Sequence, residues 1–187
     1  MKNIIIAGPP RAGKSTLARR INRELGHSII PMDAFVQTFK RTMPKLEIGK
    51  AGNGDELDAR KLSPFLAHFV QHFAGWYSQG AKLVLEGVYI DYEHFFTEID
   101  VAEYTLIGLS YNKLSAEEIF RNVRKHDGKY DWTFHETDDE MRENAEVFVT
   151  ENARHYEKLT KHGFAVYDVS AERETVFAKI MEDIKRE

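Results

Sequence analysis

Along the chain, short runs of apolar residues alternate with longer stretches in which apolar positions recur every three or four residues. The short runs are Ile4-Ile5-Ile6-Ala7, Ser28-Ile29-Ile30, Lys82-Leu83-Val84-Leu85, Tyr104-Thr105-Leu106-Ile107-Gly108-Leu109 and Phe164-Ala165-Val166-Tyr167. Most are apolar nearly throughout instead of alternating, the pattern of strands with both faces covered in a parallel sheet. Helical periodicity predicts helices over about residues 14–25, 58–79, 115–126, 137–161 and 172–186. Strand and helix in alternation predict βαβ units with right-handed crossovers, and so an α/β fold, a three-layer α/β/α sandwich.

Local signals agree with that pattern. Phe65, Leu66, Phe69, Val70, Phe73, Trp76 and Tyr77 form one apolar stripe, and Gly80 ends it. Ser115-Ala116-Glu117-Glu118 and Thr137-Asp138-Asp139-Glu140 both fit a capping box, which places helix starts just after them. Val176, Phe177, Ile180, Met181 and Ile184 give the last helix one apolar side. Two stretches look least regular, Met43–Asp55 and His126–Glu136, and long irregular segments in compact domains often serve as lids or binding loops. With no repeat, low-complexity tract or linker, residues 1–187 are expected to form one domain, with a loop at about 41–58 and a lid at about 121–136.

Composition narrows the chemistry. A chain of 187 residues can bury a sizeable core without staples. Cysteine is absent, which excludes disulfide frameworks, thiol catalysis, zinc fingers and iron–sulfur clusters. The 26 Lys and Arg against 30 Asp and Glu leave a net charge of −4, without the positive field that non-specific nucleic-acid binding uses. No apolar run approaches the length of a membrane span. The apolar start, Ile4 to Ala7, is too short for a signal peptide and runs into Gly8-Pro9-Pro10-Arg11. The expectation is a soluble cytoplasmic protein without nucleic-acid or membrane partners, its oligomeric state left open.

Gly8-Pro9-Pro10-Arg11-Ala12-Gly13-Lys14-Ser15-Thr16 matches G-x-x-x-x-G-K-[ST], the phosphate-binding P-loop. The residue types follow from the task. Phosphate oxygens must be approached by bare backbone, hence Gly8 and Gly13. Successive N–H groups through Arg11, Ala12, Gly13, Lys14, Ser15 and Thr16 then form an anion nest, with the positive end of the following helix aimed at the same phosphates. Lys14 is expected to reach the β- and γ-phosphates, and the Ser15 hydroxyl to ligate Mg²⁺. The motif directly follows an apolar strand and opens an amphipathic helix carrying Leu17, Ile21 and Leu25, the context it requires.

With these residues the chain resembles the P-loop small-molecule kinases, a group that includes adenylate, shikimate, uridine and nicotinamide-riboside kinases. Gly8-Pro9-Pro10 before Ala12-Gly13-Lys14 is similar to adenylate-kinase-type loops, although Arg11 replaces their usual glycine. The resemblance implies a five-stranded parallel sheet, an acceptor site, an arginine-bearing lid, and an ATP- and Mg²⁺-dependent phosphotransferase acting on a small hydroxyl- or phosphate-bearing metabolite such as a nucleoside or nucleotide. Three anchors go with it. Asp33, at the end of the second strand, is expected to orient the acceptor hydroxyl or take its proton, though it also suits the start of a short helix. Glu86, closing the strand Lys82–Leu85, resembles a Walker-B acid and is expected to support Mg²⁺. Arg121 and Arg124 share a helix face and are expected to neutralise charge on the transferred phosphoryl group, against the plainer reading of a solvated helix face. Tyr89, Asp91 and Tyr92 are weaker candidates for an acceptor pocket.

Other signals carry less. His68 and His72 stand at i and i+4 without a third metal ligand. Gly49-Lys50-Ala51-Gly52-Asn53-Gly54 lacks the strand–loop–helix setting of a dinucleotide site and reads as a mobile loop. Asn112-Lys113-Leu114-Ser115 has a serine where the guanine-reading motif of GTPases needs an aspartate. The alternative to a kinase is a nucleotide-binding switch, or an NTPase, with a protein partner.

Overall fold

The computed structural model describes residues 1–48, 56–77 and 79–186, and of Trp76 and Tyr77 the backbone alone. Five parallel strands form one sheet: β1 (Asn3–Ala7), β2 (Ser28–Pro31), β3 (Leu83–Gly87), β4 (Tyr104–Ser110) and β5 (Ala165–Asp168), in the order β2-β3-β1-β4-β5. Among the described residues, seven α-helices connect and follow them: α1 (Lys14–Leu25), α2 (Met32–Thr42), α3 (Glu56–His72), α4 (Tyr92–Glu98), α5 (Ala116–His126), α6 (Asp138–Lys161) and α7 (Arg173–Arg186). This is a three-layer α/β/α sandwich, as the apolar pattern predicts.

The nearly continuous apolar strands divide their side chains between two cores. Ile4, Ile6 and Val84 pack with Leu17 and Ile21 of α1 and Phe177 and Ile180 of α7. Ile5, Ala7, Leu83 and Leu85 pack on the other face with Leu62, Leu66 and Val70 of α3 and Phe95 of α4. A β1 of this kind, buried at every position, can sit only at the centre of a covered sheet.

The helices differ from the periodicity in two places. Asp33 is read as a helix start, but α2 is capped at Pro31 and runs on through eleven residues, its buried side carrying Met32 and Val36. α4, at seven residues, is shorter than two full turns and leaves little periodicity to read. The helix expected over 58–79 is α3 continued by a π-helical turn, Phe73–Tyr77. Of the expected loop at 41–58, residues 41–42 belong to α2, Pro44–Leu46 form a 3₁₀ turn, 56–58 belong to α3, and Gly49–Gly54 lie outside the described residues. In the expected lid, 121–126 are the last turns of α5, and Trp132–His135 form a 3₁₀ turn between α5 and α6. Both capping boxes are made in full, Ser115 with Glu118 and Thr137 with Glu140. Among the described residues no helix is long and apolar enough to cross a membrane.

Candidate functional site

β1 ends at the middle of the sheet, between β3 and β4, and the loop from Gly8 to Gly13 leaves it there. In open α/β sheets, ligands bind in the crevice at this carboxyl edge. Gly8 has φ 149, and a Cβ on it would collide with the carbonyl oxygen of Leu109, so the loop crosses β4 at backbone distance. Gly13, at φ 92, is the N-cap of α1 and offers no side chain to the first turn. Helices α5 and α6 close their first N–H groups with capping boxes, while the start of α1 keeps its N–H groups free of any side-chain cap, as anion binding requires.

Lys14 is folded back over this loop. Its Nζ donates to the carbonyl oxygens of Gly8 at 2.9 Å and Pro9 at 2.8 Å. Burial pushes its pKa below the ordinary lysine value, while Glu86 and Asp33 act in the opposite sense. Glu86 closes β3 and is only 5% exposed. Burial raises its pKa, against the pull of Lys14 and of the hydrogen bond from Ser15. The Ser15 hydroxyl donates to Glu86 Oε1 at 3.1 Å. Asp33 joins the group because of strand register. Pro31 of β2 pairs with Glu86 of β3, and Met32 packs so closely on Gly87 that a Cβ there would lie 2.7 Å from the Met32 Cβ. The carboxylate two residues beyond Pro31 therefore stands off the same sheet edge, close enough to influence both Lys14 and Glu86. The Lys14 ammonium, the Ser15 hydroxyl and the Glu86 carboxylate thus stand together at the mouth of the loop, with the exposed Asp33 carboxylate near enough to act on them through space.

Two props hold the loop from the β4 side. The Tyr111 hydroxyl donates to the Pro10 carbonyl oxygen at 2.9 Å. The Tyr111 backbone N–H is taken by Asn152 Oδ1 of α6 at 2.9 Å. One turn further along α6, His155 is buried, and burial together with Lys14, Arg154 and Lys158 pushes its pKa down to about 3. It therefore stands on α6 as a neutral imidazole, within electrostatic reach of Lys14. None of Tyr111, Asn152 and His155 was a sequence-level candidate. Phe148, Asn152, His155 and Leu159 are nevertheless spaced as one helix face, which is the signal that could have found them.

Arg11 takes a left-handed backbone conformation, φ 62, where the adenylate-kinase-type loops it resembles carry glycine. For a non-glycine residue this costs on the order of 1 kcal/mol. Its guanidinium leaves the loop and pairs with Asp127 at 2.8 Å and Asp131 at 3.0 Å.

The remaining candidates are placed elsewhere. Arg121 is on the outer face of α5, 72% exposed and paired with Glu117 at 2.9 Å. Arg124 serves the segment before α6: it donates to the carbonyl oxygens of Thr133 and Glu136 at 2.9 and 2.8 Å and pairs with Asp138 at 2.9 Å. Tyr92 is buried under Phe164, Phe96 and His162. The Asp91 N–H is held by Ser63 Oγ at 2.8 Å, and its carboxylate lies 3.9 Å from Arg60. His68 and His72 stack ring on ring along α3. Among the described residues, no group of three or more His, Asp and Glu side chains forms a metal cage. Ser15 and Glu86 form the sparse, oxygen-only donor set that suits Mg²⁺, an ion that keeps most of its water.

Comparison with solved structures places the fold. The chain superposes on shikimate kinase from Bacteroides thetaiotaomicron with a TM-score of 0.60 and 18% identity, covering 98% of each chain. It superposes on a gluconokinase from Sinorhizobium meliloti 1021 with a TM-score of 0.56 and 13% identity, covering 98% of this chain and 95% of the other. No family model matches the sequence. No curated protein matches it either. The chain thus shares the fold of these two proteins along nearly the whole length of both.

Proposed function

We propose that this protein is an ATP- and Mg²⁺-dependent phosphotransferase of the cytoplasm, acting on a small hydroxyl- or phosphate-bearing metabolite such as a nucleoside or nucleotide. The observation that carries the reading is the grouping of Lys14, Ser15 and Glu86 at the uncapped start of α1, within electrostatic reach of Asp33. A fold shared with two kinases supports it. In this reading the amides from Arg11 to Thr16 bind the triphosphate. Lys14, already desolvated and resting on two carbonyl oxygens, exchanges them for phosphate oxygens and gains a full counter-charge. Ser15 and Glu86 would hold Mg²⁺, which when bound would neutralise charge on the phosphates. Asp33 receives the acceptor hydroxyl and its proton. Positioning and electrostatics provide most of the catalysis, as phosphoryl transfer demands. Arg121 and Arg124, expected as charge-neutralising residues, would have to change partners to serve, because Arg121 is paired within α5 and Arg124 with the segment after it and the start of α6.

The test is purified protein with Mg-ATP and a panel of nucleosides, nucleotides, sugars and hydroxy acids, with Lys14→Ala as control. Phosphate transfer to one of them, lost in the control, supports the reading. Hydrolysis without an acceptor, left intact by Asp33→Ala, would instead indicate an NTPase.

A further inference from the structure

The segment between α5 and α6 is fastened to the phosphate loop by one side chain. Arg11 sends Nη2 to Asp127 Oδ1 at 2.8 Å and Nη1 to Asp131 Oδ1 at 3.0 Å. Asp127 is almost buried, its side chain 4% exposed, and its Oδ1 also accepts from the Thr133 hydroxyl at 2.6 Å. Asp131 Oδ2 accepts from the Gly128 N–H at 2.9 Å and closes the turn between them. Arg124 stiffens the same segment from the α5 side, through the Thr133 and Glu136 carbonyl oxygens and with Nη1 3.6 Å from Asp127 Oδ2.

Two facts point to the side chain of Arg11 and not its backbone. A nest needs only an amide at this position, and glycine reaches a positive φ without strain, yet an arginine stands there. The carboxylate it meets is one the fold cannot leave alone, since a buried charge without a partner is strongly unfavourable. The fork of the guanidinium spans both aspartates at once, which a lysine ammonium on a flexible stem does not reproduce.

We propose that Arg11 is a positioning residue that ties the 127–136 segment to the phosphate loop, so that order in that segment and the geometry of the loop are coupled. The consequence for turnover rests on the kinase reading; the tie itself does not.

Amide hydrogen exchange on the full chain tests it, without nucleotide and with Mg²⁺ and a non-hydrolysable ATP analogue. In Arg11→Gly, which relieves the backbone strain, exchange across 128–136 should rise about tenfold or more without nucleotide, while the β1 and β4 amides keep their protection. Arg11→Lys should not restore it. Asp127→Asn with Asp131→Asn should loosen the same residues in the wild-type background but add less than about threefold in the Arg11→Gly background, because the partners act as one unit. Asp131→Asn alone, a milder change at a partly exposed side chain, should give the same pattern at smaller size. If a phosphate acceptor is found, Arg11→Gly should lower kcat more than it raises KM for ATP. Exchange across 128–136 within twofold of wild type in Arg11→Gly, or aspartate effects that simply multiply with it, would overturn the tie. A chain that phosphorylates nothing yet loosens at 128–136 would sink the kinase reading and leave the tie standing.

Discussion

The two sides of the cleft are built from different materials. On the phosphate side, the groups that meet are backbone amides, one half-buried lysine and one buried glutamate, held by Gly8 against Leu109 and by Tyr111 against Pro10. On the side of α2 and α3, the contact is between rings. Phe35 meets Phe65 and Phe69 edge to face at 5.1 and 5.0 Å, and Phe39 meets Phe65 at 4.9 Å. Phe65 remains 37% exposed there. A triphosphate tail is the same for every substrate, so a rigid backbone cradle serves it. An acceptor differs from enzyme to enzyme, and side chains on two helices can be exchanged without disturbing the sheet. On the proposed kinase reading, the rigid half would carry the general chemistry and the aromatic half the identity of the acceptor.

The contrast predicts that damage on the phosphate side reaches binding and folding together, while damage on the other side reaches transfer alone. The largest effect is expected from Lys14→Ala. It should lower kcat/KM by about a thousandfold or more, equivalent to roughly 4 kcal/mol of transition-state stabilisation, and weaken nucleotide binding in calorimetry. Nucleotide affinity equal to wild type would show that Lys14 stays on its own carbonyl oxygens and leaves the phosphates to the amides.

Gly8→Ala comes next. The added methyl meets a backbone carbonyl, not a flexible side chain, so neither partner can swing away. About 3 kcal/mol of destabilisation follows, or roughly 6–12 °C in a chain of this size. A thermal midpoint within about 2 °C of wild type would mean that the loop does not hug β4.

Asp33→Asn should be narrower in its effect. The carboxylate is exposed and caps no helix, so stability should barely move. With a true acceptor, kcat/KM for transfer should fall about a hundredfold while the dissociation constant of the nucleotide stays within a few-fold. Loss of nucleotide binding instead would move Asp33 to the phosphate side and erase the distinction between the two halves.

How much of this was legible follows the same division. The strands, α1 and the loop between could be read because their constraints are local: a covered strand is apolar throughout, and a phosphate nest needs its glycines at set spacing. Glu86 was legible as the acid at a strand end. α2 carries Met32, Phe35, Val36 and Phe39 at helical spacing, but only its first residues could be recognised as a helix start. Arg121 and Arg124 show the limit. Their spacing gives a shared face, but where that face points depends on how α5 packs on α6, and the partners Glu117, Thr133, Glu136 and Asp138 decide it. The side-chain role of Arg11 was hidden for the same reason: its carboxylates lie 116 and 120 positions away in sequence.

The smallest expected effect comes from α6. His155 of α6 is 6% exposed, with Nε2 3.8 Å from Glu151 Oε2, and the cations Lys14, Arg154 and Lys158 act on it. Burial first, and those cations next, hold its pKa at about 3, below the ordinary value near 6.5. The unfolded chain therefore takes up a proton as pH falls through 6.5, whereas the native ring stays neutral. Stability is complete above pH 6.5 and declines as pH drops from there towards 3, by at most about 1.4 kcal/mol per pH unit. Carboxylates join in lower down, so the informative window is pH 7.5 to 5.5, where the histidine contributes on the order of 1 kcal/mol. His155→Gln keeps a polar side chain of similar reach and removes the titration. Urea unfolding at the two pH values should show wild type losing about that much more stability than the variant. Equal losses would mean that the native imidazole is protonated and drawn to Glu151, in which case α6 would bring a second positive charge towards Lys14, and the phosphate side of the cleft would be more cationic than its neutral histidine allows.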